Sequence, residues 1–156
     1  MPLHGYTTDR RPPTNRDHVL AHPHAFVLAA WQIMAGLSVL ASLLWDFTPS
    51  RSIARMPQPI IVGVCVLLVI GGVFIVRGLL DDTDDLMTGW KIERSGLILS
   101  TTAWAAYAAT VAWSFPGSAL SWSLSLALAV MHVIRYHATV LEERRVRARI
   151  AEHPPT

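Results

Sequence analysis

The chain has 156 residues, of which 52% are hydrophobic and only 15% are charged, and long stretches contain no charged residue. A soluble helical protein needs charged side chains along the outer face of its helices, so this distribution argues against a soluble fold. The formal net charge of +2 is too small to indicate a nucleic-acid partner. The single cysteine, Cys65, excludes an intramolecular disulfide and is interpreted as a small core residue.

The first apolar run follows a polar N-terminal segment. Residues 1–24 contain several prolines and are predicted to form a cytoplasmic tail. The apolar run covers residues 25–45, and about 20 helical residues cross the roughly 30 Å hydrocarbon core of a bilayer. A secretory signal peptide has an apolar region of only about 7–15 residues. We therefore expect this run to be a retained membrane span.

Three further apolar runs predict three more spans, at 59–80, 92–115 and 119–136. A Pro-Gly turn is nearly all that separates the last two, which predicts an antiparallel helical hairpin. Residues 137–156 are predicted to continue the fourth span as a basic helical tail. The expected fold is all-α: an integral membrane four-helix bundle over residues 25–136, with both termini in the cytoplasm and a C-terminal helical extension.

The orientation follows from the basic residues. With four spans, both termini and the connection between spans two and three lie on one side. That side carries all 13 Lys and Arg residues except Arg51 and Arg55. Because short loops rich in Lys and Arg stay cytoplasmic, the sequence predicts N and C termini inside, in the inner (plasma) membrane.

The acidic segment 81–85 is the sharpest candidate for a ligand site. Its four aspartates could collect Mg²⁺ or Ca²⁺, which prefer oxygen ligands, but it lacks the glycine turn and spaced glutamate of a calcium loop. A solvated loop between spans two and three is the favoured interpretation. Arg77 and Asp81 stand four residues apart, a spacing that allows an exposed helical ion pair.

Glu93 and Arg94 lie at the entrance of the third span. Charges inside a membrane are costly and usually functional, but these two are placed at the interface. A structural role is favoured over a chemical one, either fixing the depth of the helix or contacting Arg77 or Arg135.

The histidines allow a metal hypothesis that the sequence does not favour. Four of them, His4, His18, His22 and His24, precede the first span, but Pro23 interrupts the helical spacing and no cysteine completes a ligand set. His132 is expected to be a buried, hydrogen-bonded histidine rather than a proton relay, because no carboxylate lies deep in any span. Without a phosphate loop or a nucleophile set, no enzymatic activity, metal or cofactor is expected.

Small residues at helical spacing indicate close packing of helices in lipid. The packing candidates are Gly71, Gly72, Ala105, Ala109, Ser121 and Ser125. The centres of the spans carry no Asp, Glu, Lys or Arg, which disfavours a proton-coupled transporter.

One stretch carries a family resemblance. Residues 89–97, which read GWKIERSGL, followed by Trp104 and Tyr107, resemble small four-span membrane proteins encoded by phages of actinobacteria. Such proteins are often regarded as holin-like, so the resemblance implies an oligomer that alters membrane permeability. The expected partners are the lipid bilayer and either further copies or partner transmembrane helices. The alternative function is a non-catalytic accessory subunit of a larger membrane complex; a small transporter is less expected.

Overall fold

In a computed structural model, the described residues are 22–45, 50–54, 56–81 and 86–152. They form four long helices and one single-turn helix: α1 Pro23–Leu44, α2 Arg51–Ala54, α3 Gln58–Leu79, α4 Leu86–Ser114 and α5 Ala119–Glu152. These ranges contain no strand, and the prediction of an all-α chain is confirmed.

The helix boundaries have local causes. α1 and α3 each carry a proline at the start of the helix, where a missing backbone N–H leaves no intrahelical bond unmade. Between α4 and α5, the Ser118 backbone N–H donates to the Phe115 carbonyl oxygen at 3.0 Å. This closes the Pro-Gly turn and makes α4 and α5 the predicted antiparallel hairpin.

Each long helix packs mainly on its neighbours in the chain. The close interfaces are α1 with α3, α3 with α4, and α4 with α5. The pair α1 and α5 does not pack closely. The backbones of these two helices lie farther apart, and their side chains still meet in the core. Cys65 lies in the core beside Ile61 and Val111.

The α3–α4 interface is built on glycines seven residues apart on each helix. Gly71 lies against Gly96, and Gly78 lies against Gly89. A Cβ atom at Gly78 would sit 2.6 Å from the Glu93 backbone nitrogen, and one at Gly96 would sit 2.6 Å from the Gly71 carbonyl oxygen. The two backbones thus approach more closely than any side chain would allow.

Three of the long helices, α1, α3 and α5, are long and apolar enough to cross a membrane. α4 is not among them: Lys91, Glu93 and Arg94 occupy its first turns, and Ser, Thr, Trp and Tyr replace many of the aliphatic residues found in α3. α5 has 34 residues, about 50 Å at the helical rise. It therefore exceeds a bilayer core and continues without a break into the predicted basic extension.

Candidate functional site

A buried amide lies at the centre of the bundle. Gln32 of α1 is 0% exposed, and its side-chain nitrogen donates to the Ser100 hydroxyl oxygen at 2.7 Å and to the Leu68 carbonyl oxygen at 3.3 Å. An amide nitrogen carries two hydrogens, so both are used. This single side chain connects α1 with α3 and α4.

His132 of α5 completes the group. Its Nδ1 atom lies 2.7 Å from the Leu128 carbonyl oxygen, and its Nε2 atom lies 3.2 Å from the Gln32 side-chain oxygen. The ring is 2% exposed. The prediction of a buried, hydrogen-bonded histidine is therefore confirmed. We refer to Gln32, Ser100 and His132 as the polar centre.

Two glycines of α3 make room for the polar centre. A Cβ atom at Gly71 would lie 2.5 Å from the Ser100 hydroxyl oxygen, and one at Gly72 would lie 3.0 Å from the Gln32 amide nitrogen and 2.9 Å from the Ala29 carbonyl oxygen. Both positions had been selected from the sequence as packing candidates. In the structure, the absence of a side chain at these two glycines leaves the space that Gln32 and Ser100 occupy.

Two ion pairs join the start of α4 to α5. The Arg135 Nε atom donates to the Glu93 carboxylate at 2.8 Å, and Glu93 is 2% exposed. The contact with Arg135 is one of the two that the sequence suggested for this segment. Arg94, the next residue, lies 2.5 Å from the Glu143 carboxylate and donates to the Thr139 carbonyl oxygen at 2.9 Å.

Glu143 also accepts from Arg147 on its own helix, at 2.9 Å from Nε. Hydrogen bonds from Arg147 and Arg94 lower the pKa of the Glu143 carboxyl group below its ordinary value. Because Glu143 lies beyond the apolar part of α5, these contacts hold the helical extension against the first turns of α4.

Cavities lie on both sides of the polar centre. One of about 190 Å³ is lined by His132 together with His24 and Arg135, at the end of the bundle that holds the ion pairs. The other, of about 270 Å³, is lined by Gly36, Trp104 and Ser125 among others.

Stacked indole rings lie beside the larger cavity. Trp31 and Trp104 are 5.5 Å apart between ring centroids and nearly parallel. Both residues are close to the polar centre along their helices: Trp31 directly precedes Gln32, and Trp104 is one turn beyond Ser100. The indole Nε1 of Trp104 is buried and has no hydrogen-bond partner among the described residues.

The other packing candidates divide between the inside and the outside of the bundle. Ala105 and Ala109 are exposed. Ser125 is buried, and its hydroxyl donates to the Ser121 carbonyl oxygen at 2.8 Å. The hairpin of α4 and α5 therefore uses Ser125 internally and leaves the two alanines on the outer surface.

The remaining candidates from the sequence do not assemble into a site. Arg77 is exposed and Asp81 half-buried, and the ion pairs found among the described residues do not join them. Residues 82–85 of the acidic segment lie outside the described residues, as do His4 and His18. Within the described ranges, no group of three metal-ligating side chains is present.

The contact between Gln32 and His132 could not be inferred from the sequence. The two residues are 100 positions apart, and each stands alone as a polar residue in an apolar run. That isolation was a usable signal, because an unpaired polar side chain in an apolar environment is costly. Which residue pairs with Gln32 or His132 depends on how the helices are arranged, and the sequence does not give that arrangement.

Comparison of the chain with protein-family models, curated proteins and solved structures gives no match in any of the three. Three of its helices have the length and composition that crossing a membrane requires.

Proposed function

We propose that this chain is a four-span plasma-membrane protein with both ends in the cytoplasm. In this proposal it self-associates through α4 and alters membrane permeability in the manner of a holin. The proposal includes no catalytic step.

Chain connectivity supports a fourth span. α3 and α5 have the length and composition of spans, and both pack along α4. The connections from Leu79 to Leu86 and from Ser114 to Ala119 are short. If α3 and α5 cross in the same direction, the chain returns through α4.

The observation that carries the self-association proposal is the outer face of α4. All exposed residues of this helix from Thr88 onward lie on one stripe: Lys91, Ser95, Ile98, Thr102, Ala105, Ala109 and Trp113. Between Ile98 and Trp113 the stripe contains only the small residues Thr102, Ala105 and Ala109. The exposed positions of α3 and α5 instead include Val66, Ile70, Leu124 and Val130.

Small residues on a membrane helix permit close backbone approach, which is a main source of helix association in lipid. The hydroxyl of Thr102 donates to the Ile98 carbonyl oxygen of its own helix. The face can therefore pack against another helix without leaving this donor unpaired. We infer that the outer face of α4 meets the same face of a second copy.

The test is crosslinking of the full chain in lipid vesicles. Replacing Ala109→Leu should reduce crosslinked oligomers at least several-fold, because the added side chain keeps the backbones apart. Ala127→Leu is the matched control, since Ala127 is exposed on α5, and it should leave oligomers unchanged. A monomeric wild-type chain over a wide range of protein-to-lipid ratios would refute self-association. Inducible expression with recording of the membrane potential tests the permeability change.

The alternative is an accessory subunit of a larger membrane complex. The observation that favours it is the extension of α5, which is held against α4 by Glu143 and exposes Leu141, Arg144 and Arg145. A rigid helix with basic and apolar positions is suited to docking on a partner. Purification of one stoichiometric partner together with a monomeric chain would support this function.

A further inference from the structure

The hydrogen bonds of the polar centre are all made only when both ring nitrogens of His132 carry a hydrogen. The Leu68 carbonyl oxygen can only accept, so the Gln32 group facing it must be the amide nitrogen. The Gln32 side-chain oxygen consequently faces His132 Nε2, at 3.2 Å. On the other side of the ring, Nδ1 faces the Leu128 carbonyl oxygen. Both ring nitrogens therefore face acceptors.

A neutral imidazole has one N–H donor and one lone pair, whereas an imidazolium has two donors. In the neutral form, one of the two contacts would place a nitrogen lone pair against an oxygen lone pair. In the protonated form, both contacts become hydrogen bonds. The geometry of the polar centre is thus complementary to the cation.

We propose that His132 is a proton-binding site. The Nδ1 proton stays on the short bond to the Leu128 carbonyl oxygen. A hydronium ion in the cavity transfers its proton to the Nε2 lone pair and is left as water, and Nε2–H then donates to the Gln32 oxygen. The inference does not depend on self-association of the chain.

The smaller cavity provides the route. It has a volume of about 190 Å³, and His132 shares its wall with His24 of α1 and Arg135 of α5. The rest of the wall is apolar (Ala25, Leu28, Ile75, Leu97 and Met131), so His24, His132 and Arg135 are the groups that can hold water there. The cavity lies at the end of the bundle that carries the ion pairs, so the proton enters from that side. The stacked rings of Trp31 and Trp104 lie on the other side of the polar centre.

The charged group nearest to this route in the wall of the cavity, Arg135, is part of an ion pair. α4 contributes Glu93, whose carboxylate accepts from Arg135 of α5, so the cation nearest to the site is already neutralised. α1 contributes His24. α3 contributes backbone and glycine at the polar centre, and its Arg77 is exposed. A proton on His132 therefore adds one positive charge. The ring donates its two hydrogen bonds to the Gln32 and Leu128 oxygens, which stabilise that charge.

The test is ¹⁵N NMR of the histidine-labelled full chain in lipid bilayers between pH 4 and 8. Because the chain contains 7 histidines, a His132→Gln variant assigns the signal. We expect wild-type His132 to convert to an imidazolium with both nitrogens protonated. Gln32→Leu removes one acceptor, and the pH of half-protonation should fall by at least about one unit, a tenfold loss of proton affinity.

Two controls separate this effect from a general disturbance of the fold. Gln32→Glu loses the amide donor to Leu68 and Ser100, as Gln32→Leu does, but it keeps an oxygen facing Nε2 and adds a negative charge, so it should raise the pH of half-protonation. His137→Gln, at an exposed position of α5, should leave the His132 signal unchanged. Wild-type His132 that remains neutral down to pH 4 would overturn the proposal, and this result requires no variant. An unchanged titration in Gln32→Leu would also overturn it.

Discussion

A methyl group at Gly71 would lie 2.5 Å from the Ser100 hydroxyl oxygen and 3.0 Å from the Gly96 carbonyl oxygen. Ser100 can rotate, but the backbone of α4 cannot move without disturbing the whole interface. Overpacking of this kind typically costs about 1–3 kcal/mol. We expect Gly71→Ala to lower the free energy of unfolding by that amount, measured by denaturation in detergent.

Gly63→Ala is the matched control, because a Cβ atom there has no heavy atom within 4 Å. Alanine is favoured over glycine inside a helix by roughly 1 kcal/mol, so this variant should be as stable as the wild type or more so. Equal losses of stability in the two variants would show that packing at Gly71 is not the cause.

At the level of single residues, the sequence predicted the packing role of the two glycines next to the polar centre. It did not predict the contacts within the polar centre. Gly71 and Gly72 were recognisable because small residues in an apolar run are typical of helix interfaces. Gln32 and Ser100 were visible only as polar residues within their spans. Periodicity gives the face of a helix on which a residue lies, but not which helix covers that face.

Among the elements, the extension of α5 has a testable dependence on pH. The bonds from Arg147 and Arg94 lower the pKa of Glu143 in the folded chain, below an ordinary value of about 4.3. The stabilisation is thus fully present above the ordinary pKa and is lost as the pH falls through the lowered value. As the pH falls through that lowered value, the extension should separate from the start of α4.

Hydrogen exchange of the α5 backbone beyond Thr139, corrected for the intrinsic effect of pH, measures this separation. Protection in the wild type should decrease on acidification while that of the apolar part of α5 does not. In Glu143→Gln, protection should already be reduced at neutral pH and should not change with pH. A wild-type chain whose extension stays equally protected at pH 3 would contradict the role of Glu143.

The elements were predictable to different degrees. The apolar runs indicated all four long helices, and the Pro-Gly turn indicated the hairpin. The helical first turns of α4 were less visible, because Lys91, Glu93 and Arg94 are polar. Their stability comes from contacts with Arg135 and Glu143, which the sequence of α4 alone does not contain.

For the whole molecule, the four-span topology makes a prediction that can be checked at five positions. Reporter fusions at residues 3, 53, 85, 117 and 150 should report inside, outside, inside, outside and inside, because the basic residues gather on one side. The fusion at residue 117 is decisive for α4, since it follows α4 and precedes α5. A cytoplasmic signal there would mean that α4 does not cross as proposed, and a periplasmic signal at residue 85 would overturn the whole topology.

The chain-order packing of the helices has a consequence for how the protein is made. Since α3 packs on α1, α4 on α3 and α5 on α4, each helix finds its place on one that has already left the ribosome. The bonds of Gln32 with Ser100 and His132 are exceptions, because they join residues 68 and 100 positions apart. The bond with His132 can form only after α5 has been synthesised. It therefore cannot contribute to the packing of the earlier helices on one another and stabilises the bundle only once α5 is in place.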